Sequence, residues 1–255
     1  MELRVQKQKE IEERKIYQKK FTVTYPDIDP FGQITLSRLL DYCTVVSYEQ
    51  SEQVGIGAKF LRTIGTNWII NEVEMNFICF PRYGEEFTID VYATSFNKFF
   101  IYRQFDIYNS QKEKIGSIFM SLSLLDLEKR SIFPLKDEVG DAFGAKKEKR
   151  IYRFEKIYPE ESEYSEHKVT AQNSHLDYNR HVYNGIYYQW MFDSLPIEFL
   201  ETHQLTYFLM RFEAEIALGE QVTIQSNLAE TQGETTWRLS GSRDEKAIAK
   251  ARWRE

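Results

Sequence analysis

Ten consecutive residues, His175-Leu176-Asp177-Tyr178-Asn179-Arg180-His181-Val182-Tyr183-Asn184, gather one carboxylate, two carboxamides and two imidazoles. They stand directly before an aromatic-rich run with helical character, and they hold two of the four histidines in the chain. A carboxylate in such a cluster can act as base or nucleophile, while a neighbouring amide and imidazole orient water and tune the carboxylate. The same residue types can also cap a helix. Other chemistries lack their signatures: there is no G-x-S-x-G, no H-E-x-x-H, no phosphate-binding loop and no dinucleotide fingerprint. Gly55-Ile56-Gly57 is too short to cradle a phosphate. His175, Asp177 and His181 are metal-ligand types, but no second ligand cluster accompanies them, so neither a metal nor a cofactor is expected.

The elements that position this segment follow from periodicity. A helix is expected near Tyr183–Ser194, then strands at Leu205–Leu218, Glu220–Glu230, Thr235–Ser242 and Lys246–Trp253. The first half has the same plan. Leu36, Leu39, Leu40, Cys43, Val46 and Val54 mark a long amphipathic helix that Thr35 or Ser37 could cap. Strands at Trp68–Phe80, Glu85–Phe96, Phe99–Ile107 and Lys114–Asp126 follow it, joined by short polar turns.

Two local matches indicate a duplication. Asp27-Ile28-Asp29-Pro30-Phe31-Gly32-Gln33 aligns with His175–His181, and Gly84-Glu85-Glu86-Phe87-Thr88-Ile89 aligns with Gly219–Ile224. Each half is then one helix followed by four strands: an α+β tandem hotdog, each unit a long helix wrapped by a curled antiparallel sheet. Residues 1–128 form the first unit, 129–160 a linker with the basic cluster Lys146–Arg150, and 161–255 the second unit. Phe31 and Gln33 stand where Asn179 and His181 stand, whereas the aspartate persists as Asp29 and Asp177. A cap should persist in both copies, since both helices need their starts satisfied. One copy therefore reads as scaffold and the other as a site.

Composition narrows the classes. Net charge is −6, which argues against general nucleic-acid binding. Cys43 and Cys79 lie far apart and read as reduced thiols of an intracellular protein. Met1–Glu10 mixes charges without an apolar core, and no apolar run approaches a bilayer's thickness, so a cytoplasmic location is expected.

Asp177-x-Asn179-x-His181-Val182-x-Asn184 with its aromatic helix resembles the active-site segment of the acyl-ACP thioesterases of plants and bacteria. Trp68-Ile69-Ile70 and Phe80-Pro81-Arg82-Tyr83-Gly84-Glu85 resemble that family's first hotdog unit, and the likeness runs from about Phe21 to the end. The resemblance implies hydrolysis of a fatty acyl-ACP thioester to free fatty acid and acyl carrier protein, in fatty acid biosynthesis. It also implies that Asp177, Asn179 and His181 are catalytic, joined by a Glu on the strand after the helix, which best matches Glu215; Glu213 is its rival. Plant members carry a Cys after that Glu; Ile216 stands here, so no thiol serves at that position.

Asn184 reads as a cap or turn residue and His175 as a surface residue. Backbone N–H groups at the helix start after His181 are the candidate oxyanion donors. Phe31, Cys43, Trp68, Ile70 and Phe80 are candidates to line an acyl tunnel in the first unit. The acidic carrier protein would need a basic patch, for which Lys146–Arg150, Arg180 and Lys98 qualify. A homodimer through the second unit's helix and sheet edge is optional, because a tandem chain already forms the two-unit assembly. The alternatives are an acyl-CoA thioesterase, a non-catalytic acyl-binding module and a dehydratase. A dehydratase should set a His and an acid across the two units, whereas the polar set here lies within one.

Overall fold

The computed structural model describes residues 15–159, 164–229 and 233–255; Met1–Glu10, residue 160 and Glu230 lie outside them. Helix α1 (Leu36–Gln53) follows a short strand β1 (Tyr17–Thr22) and buries Leu36, Leu39, Leu40, Cys43 and Val46, a stripe at helical spacing. Burying each such side chain contributes about 1.5–3 kcal/mol. Thr35 caps the helix, its Oγ1 accepting the Arg38 N–H at 3.2 Å. A short helix α2 (Ala58–Thr63) leads to strands β2 (Thr66–Phe77), β3 (Glu86–Phe96), β4 (Ile101–Asn109) and β5 (Lys114–Asp126). On β3 the residues Phe87, Ile89, Val91 and Ala93 are buried at every second position, which fixes the face and hence the register against β4.

The chain divides into two compact units. One holds the described residues up to Phe21, Tyr42–Asn71 and Glu86–Arg153, with strand order β1-β3-β4-β5-β2. The segment expected as a linker is folded in its first part. β6 (Ser131–Phe133) pairs with β5, α3 (Asp137–Ala142) follows, and β7 (Lys146–Lys147) runs parallel to Ser95–Phe96 of β3. Leu135, Val139, Phe143 and Ala145 are buried there; their sparse spacing among charges hides the element from a periodicity reading. Arg103 of β4 is buried in the same unit, bonded to Ser47 and Gln50 of α1, and desolvation lowers its pKa to about 9.

The other unit comprises Thr22–Asp41, Glu72–Glu85 and Phe154–Glu255. It contains β8 (Ser165–Thr170), α4 (Asn184–Asp193), α5 (Ile197–Thr202), β9 (Gln204–Phe212), β10 (Gln221–Ala229), β11 (Glu234–Ser240) and β12 (Glu245–Arg254). Its strand order is β2-β9-β12-β11-β10-β8, with Glu72–Asn76 of β2 pairing Tyr207–Arg211 of β9. Trp237 on β11 is fully buried, and its indole N–H donates to the Met191 carbonyl of α4 and to Ser194 Oγ, both at 3.1 Å. This fixes α4 on the sheet.

Among the described residues each repeat thus has five strands rather than the expected four, because β1 and β8 precede the helices. β8 is almost wholly exposed and carries Glu166, His167 and Lys168, so no apolar alternation announces it. Among the described residues no helix is long and apolar enough to cross a membrane.

Candidate active site

Asp177 organises its own loop. Its Oδ1 accepts the Asn179 N–H at 2.7 Å and the His181 N–H at 3.4 Å, and its Oδ2 accepts the Asn179 side-chain N–H at 3.2 Å. The first repeat builds the same loop: Asp29 Oδ1 accepts the Phe31 and Gln33 N–H groups, both at 2.9 Å. The likeness extends through the backbone. Asp177 N donates to His181 O as Asp29 N does to Gln33 O, and Val182 N donates to Ile216 O as Ile34 N does to Pro81 O. The duplication read from sequence is therefore present bond for bond, and the aspartate's shared task is to hold a turn.

What differs is what the turn presents. His181 Nε2 lies 3.4 Å from Glu215 Oε2, with the two side chains 30% and 40% exposed. At the matching places the first repeat has Gln33 and Phe80, which can make no such pair. His181 Nδ1 is enclosed and has no hydrogen-bond partner among the described residues. Asn179 is exposed at the mouth of the loop, between Asp177 and the left-handed Arg180 (φ 64°). The arrangement places one solvent-accessible carboxylate against one imidazole, with the Asn179 amide held by Asp177 in the same loop.

The expected strand Leu205–Leu218 is corrected: β9 ends at Phe212, and Glu215 stands in the loop after it. Glu213 N and Ala214 N both donate to the Lys246 carbonyl, at 2.9 and 3.2 Å, so the chain leaves the ladder there. Burial at every second residue consequently fails beyond Phe212. Ile216 is buried, yet Leu218 is 53% exposed, and Ala217 meets His181 in an isolated bridge. Glu213 pairs with Arg211 and does not approach His181 in the way Glu215 does.

The start of α4 also departs from expectation. Asn184 is the first helical residue and Tyr183 the N-cap, with no side-chain cap bond. The Tyr183 hydroxyl instead donates to Asp41 Oδ1 at 2.7 Å. Of the backbone donors after His181, Val182 N is taken by Ile216 O and Tyr183 N by His175 O. That leaves the first-turn N–H groups of α4, those of Asn184 and Gly185, at the positive end of the helix. His175 is half-buried rather than a surface residue: its Nδ1 accepts the Gln172 N–H at 3.1 Å and its ring stands edge-on to Trp190. Asp27 makes the equivalent bond to Thr24 N in the first repeat, so His175 is a turn cap.

Two side chains that periodicity assigns to ordinary helix and strand positions also meet the Glu215 loop. The Tyr187 hydroxyl donates to Ala214 O at 3.4 Å, and Lys246 Nζ donates to Glu215 O at 3.0 Å. Burial, reinforced by the Glu215 carboxylate, pushes the Tyr187 pKa well up, so the phenol stays protonated. Only the path of the loop makes these residues neighbours, and no local pattern in the sequence signals it.

A cavity of about 540 Å³ lies in the second compact unit against the Asp29 loop, lined among others by Ile28, Phe31, Phe80, Phe192, Leu200 and Trp253. Phe31 and Phe80 are thus brought together. Cys43, Trp68 and Ile70 belong to the other unit and do not line it, and neither do Asp177, Asn179, His181 or Glu215. Cys43 is fully buried, which pushes its thiol pKa up and keeps it unreactive. Trp68 and Ile70 are half-buried, and Trp68 stands edge-on to Phe143.

Known proteins share this construction. A family model for the acyl-ACP thioesterase N-terminal domain matches residues 14–143, and one for the C-terminal domain matches residues 158–255. A chloroplastic dodecanoyl-[acyl-carrier-protein] hydrolase of Umbellularia californica is 20% identical over 214 residues, covering 78% of this chain. The match spans 56% of that relative's length. A crystal structure provisionally assigned as an oleoyl thioesterase of Lactobacillus plantarum superposes with a TM-score of 0.87 at 25% identity, covering 94% of this chain and 96% of that one. An acyl-ACP thioesterase structure from Bacteroides thetaiotaomicron gives 0.85 at 18% identity, covering 96% and 99%, which shows the same tandem hotdog fold. With both domain models matched in order along it, the chain belongs to the acyl-ACP thioesterase family.

Proposed function

We propose that this protein hydrolyses the thioester of fatty acyl-ACP, releasing a free fatty acid and the carrier protein, in fatty acid biosynthesis. The observation that carries the reading is the His181–Glu215 pair at 3.4 Å, present in the repeat that also has Asn179 and replaced by Gln33 and Phe80 in the other.

In this reading Glu215 is the reactive carboxylate, since the Asp177 oxygens are engaged in holding the loop. Glu215 takes a proton from water as the water oxygen attacks the thioester carbonyl carbon. His181 Nε2 fixes the carboxylate, and Asn179 orients the water. The tetrahedral oxyanion rests on the N–H groups of Asn184 and Gly185, where one such donor is worth about 3 kcal/mol in the transition state. Collapse breaks the C–S bond, and the departing thiolate of the phosphopantetheine arm receives the proton from Glu215.

The division of labour follows the repeats: residues 161–255 carry the chemistry, and the first repeat, within 1–128, receives the acyl chain along Phe31 and Phe80, which line the cavity beside the Asp29 loop. The acidic carrier protein docks on basic surface. Lys98 and Lys146–Arg150 are exposed in one unit, where β7 runs beside the end of β3 and Glu148 N donates to Phe96 O. Arg180 adjoins Asn179. Any homodimer would use the helix and sheet edge of the second repeat, although the charges on β8 disfavour edge-to-edge pairing.

The test is release of free fatty acid from acyl-ACP and acyl-CoA panels assayed side by side, with Glu215→Gln and His181→Ala as controls. Loss of the base or its partner should lower kcat by about 10²–10⁴-fold. Release from acyl-CoA alone, or near-normal turnover in Glu215→Gln, would sink the reading.

A further inference from the structure

The two repeats share one more irregularity. In the first, β4 and β5 pair Ile107 with Gly116 and then Tyr108 with Lys114, so Ile115 is left out of register as a bulge. In the second, β11 and β12 pair Leu239 with Ala247 and then Ser240 with Glu245, which leaves Lys246 bulged at the same point. Bulges re-aim the side chain of the extra residue. In the first repeat that side chain is an isoleucine, 5% exposed; in the second it is a lysine, equally buried at 5%.

A buried ammonium is costly unless several partners meet it, and Lys246 has three. Its Nζ lies 2.7 Å from Glu220 Oε1, 2.8 Å from Asp244 Oδ1 and 3.0 Å from the Glu215 carbonyl oxygen. Its own carbonyl accepts Glu213 N and Ala214 N. One residue thus grips the Glu215 loop from both backbone and side chain. Burial pulls its pKa down, but Asp244 and Glu220 outweigh that and hold it above the ordinary lysine value, so the charge persists at neutral pH.

The first repeat shows what the turn needs by itself. Glu220 Oε2 accepts Ala217 N at 3.1 Å, and Glu85 Oε2 accepts Arg82 N at 2.9 Å, so the turn closes identically in the repeat that has Ile115. Closing the turn therefore requires no ammonium. What the lysine adds is the bond to the loop that carries Glu215, and it occurs only in the repeat that has Glu215, His181 and Asn179.

We propose that Lys246 is a positioning residue for hydrolysis, whose ammonium anchors the loop after β9 so that the Glu215 carboxylate faces His181. The inference rests on Glu215 being the reactive carboxylate, as set out under the proposed function.

The experiment measures kcat and KM on acyl-ACP, with melting temperature, for Lys246→Met, Lys246→Gln and Lys246→Arg, each alone and in a Glu215→Gln background. Lys246→Met should lower kcat by about 10–100-fold, the size of effect that slight misplacement produces. KM should stay within about twofold, since Lys246 acts through the loop and not on the substrate. Lys246→Arg should recover part of the loss, and Lys246→Met should cost nothing further once Glu215 is Gln. If Lys246→Met fails to fold, Lys246→Gln, which keeps a donor but no charge, supplies the same comparison. Near-normal kcat in Lys246→Met with Glu215→Gln inactive overturns the inference and leaves the function intact. So does a loss that follows the melting temperature and persists in the Glu215→Gln background. An active Glu215→Gln removes the reading of Glu215 itself, and this inference with it.

Discussion

Asp177 and Asp29 do the same structural work: each Oδ1 accepts the N–H two residues ahead and the N–H four residues ahead. A carboxylate used identically in the repeat that has His181 and Glu215 and in the one that has Gln33 and Phe80 is a loop-holder first. Asp29→Ala should therefore lower stability by about 1–3 kcal/mol, the cost of leaving two N–H groups without a charged acceptor, while kcat stays unchanged. Asp177→Ala should lower stability similarly and kcat as well, because its loop carries Asn179 and His181. Urea unfolding and turnover on the same preparations separate the two effects, and equal kcat losses in both variants would contradict this assignment.

Converting the scaffold copy needs more than its loop. Phe31→Asn with Gln33→His, introduced into a Glu215→Gln protein, should restore no hydrolysis. Phe80 and Ile115 still stand where the second repeat has Glu215 and Lys246. Recovery of turnover from those two substitutions alone would show that the second carboxylate is dispensable.

Phe80 lines the 540 Å³ cavity beside the Asp29 loop together with Phe31. Phe80→Ala should therefore shift hydrolysis towards longer acyl chains across an acyl-ACP panel, by opening volume without stranding a polar group. A shift in Trp68→Ala instead would assign the tail to the other unit, where Trp68 stands edge-on to Phe143.

The proposed carrier-protein docking depends on local charge, since the chain's net charge is −6. Lys98→Glu with Lys149→Glu should raise KM for acyl-ACP about tenfold at low salt, leave kcat near normal, and lose its effect as salt screens the encounter. An unchanged KM would move the docking surface elsewhere, with Arg180 next in line.

Acid stability should depend on Glu155. Its carboxylate meets Arg252 at 2.7 and 2.8 Å and Lys250 at 3.2 Å. Burial alone would raise its pKa, but the bonds to Arg252 and Lys250 prevail and hold it below the ordinary value of 4.5. A depressed folded pKa contributes stability that is complete above the unfolded value and is lost as pH falls through the folded one. Glu155→Gln should therefore lower the urea midpoint near neutrality and flatten the acid limb, so that its difference from the unsubstituted protein shrinks as pH falls below about 5. A parallel downward shift at every pH would indicate lost packing instead.

Local patterns carried much of this protein. The stripe Leu36, Leu39, Leu40, Cys43 and Val46 defines α1 to within a residue of the expected end, because helical burial repeats over several turns. The strand expected over Lys114–Asp126 is β5 as observed. Elements without periodic apolar burial escape such a reading: β8 is charged and exposed, and around α3 the buried Leu135, Val139, Phe143 and Ala145 are scattered through a charged stretch.

By itself, the sequence determined the duplication, the α+β tandem hotdog, and the asymmetry that sets Asn179 and His181 against Phe31 and Gln33. These are comparisons of residue types at fixed spacing, which a chain displays without being folded. Tertiary structure alone decided which acid meets the imidazole, that Asp177 serves the loop, and that the bulged Lys246 grips the Glu215 segment. Those outcomes depend on where β9 leaves its ladder, and that point is set by two N–H groups converging on one carbonyl of a strand thirty-odd residues away. No spacing within the segment encodes a bond whose partner lies on another strand.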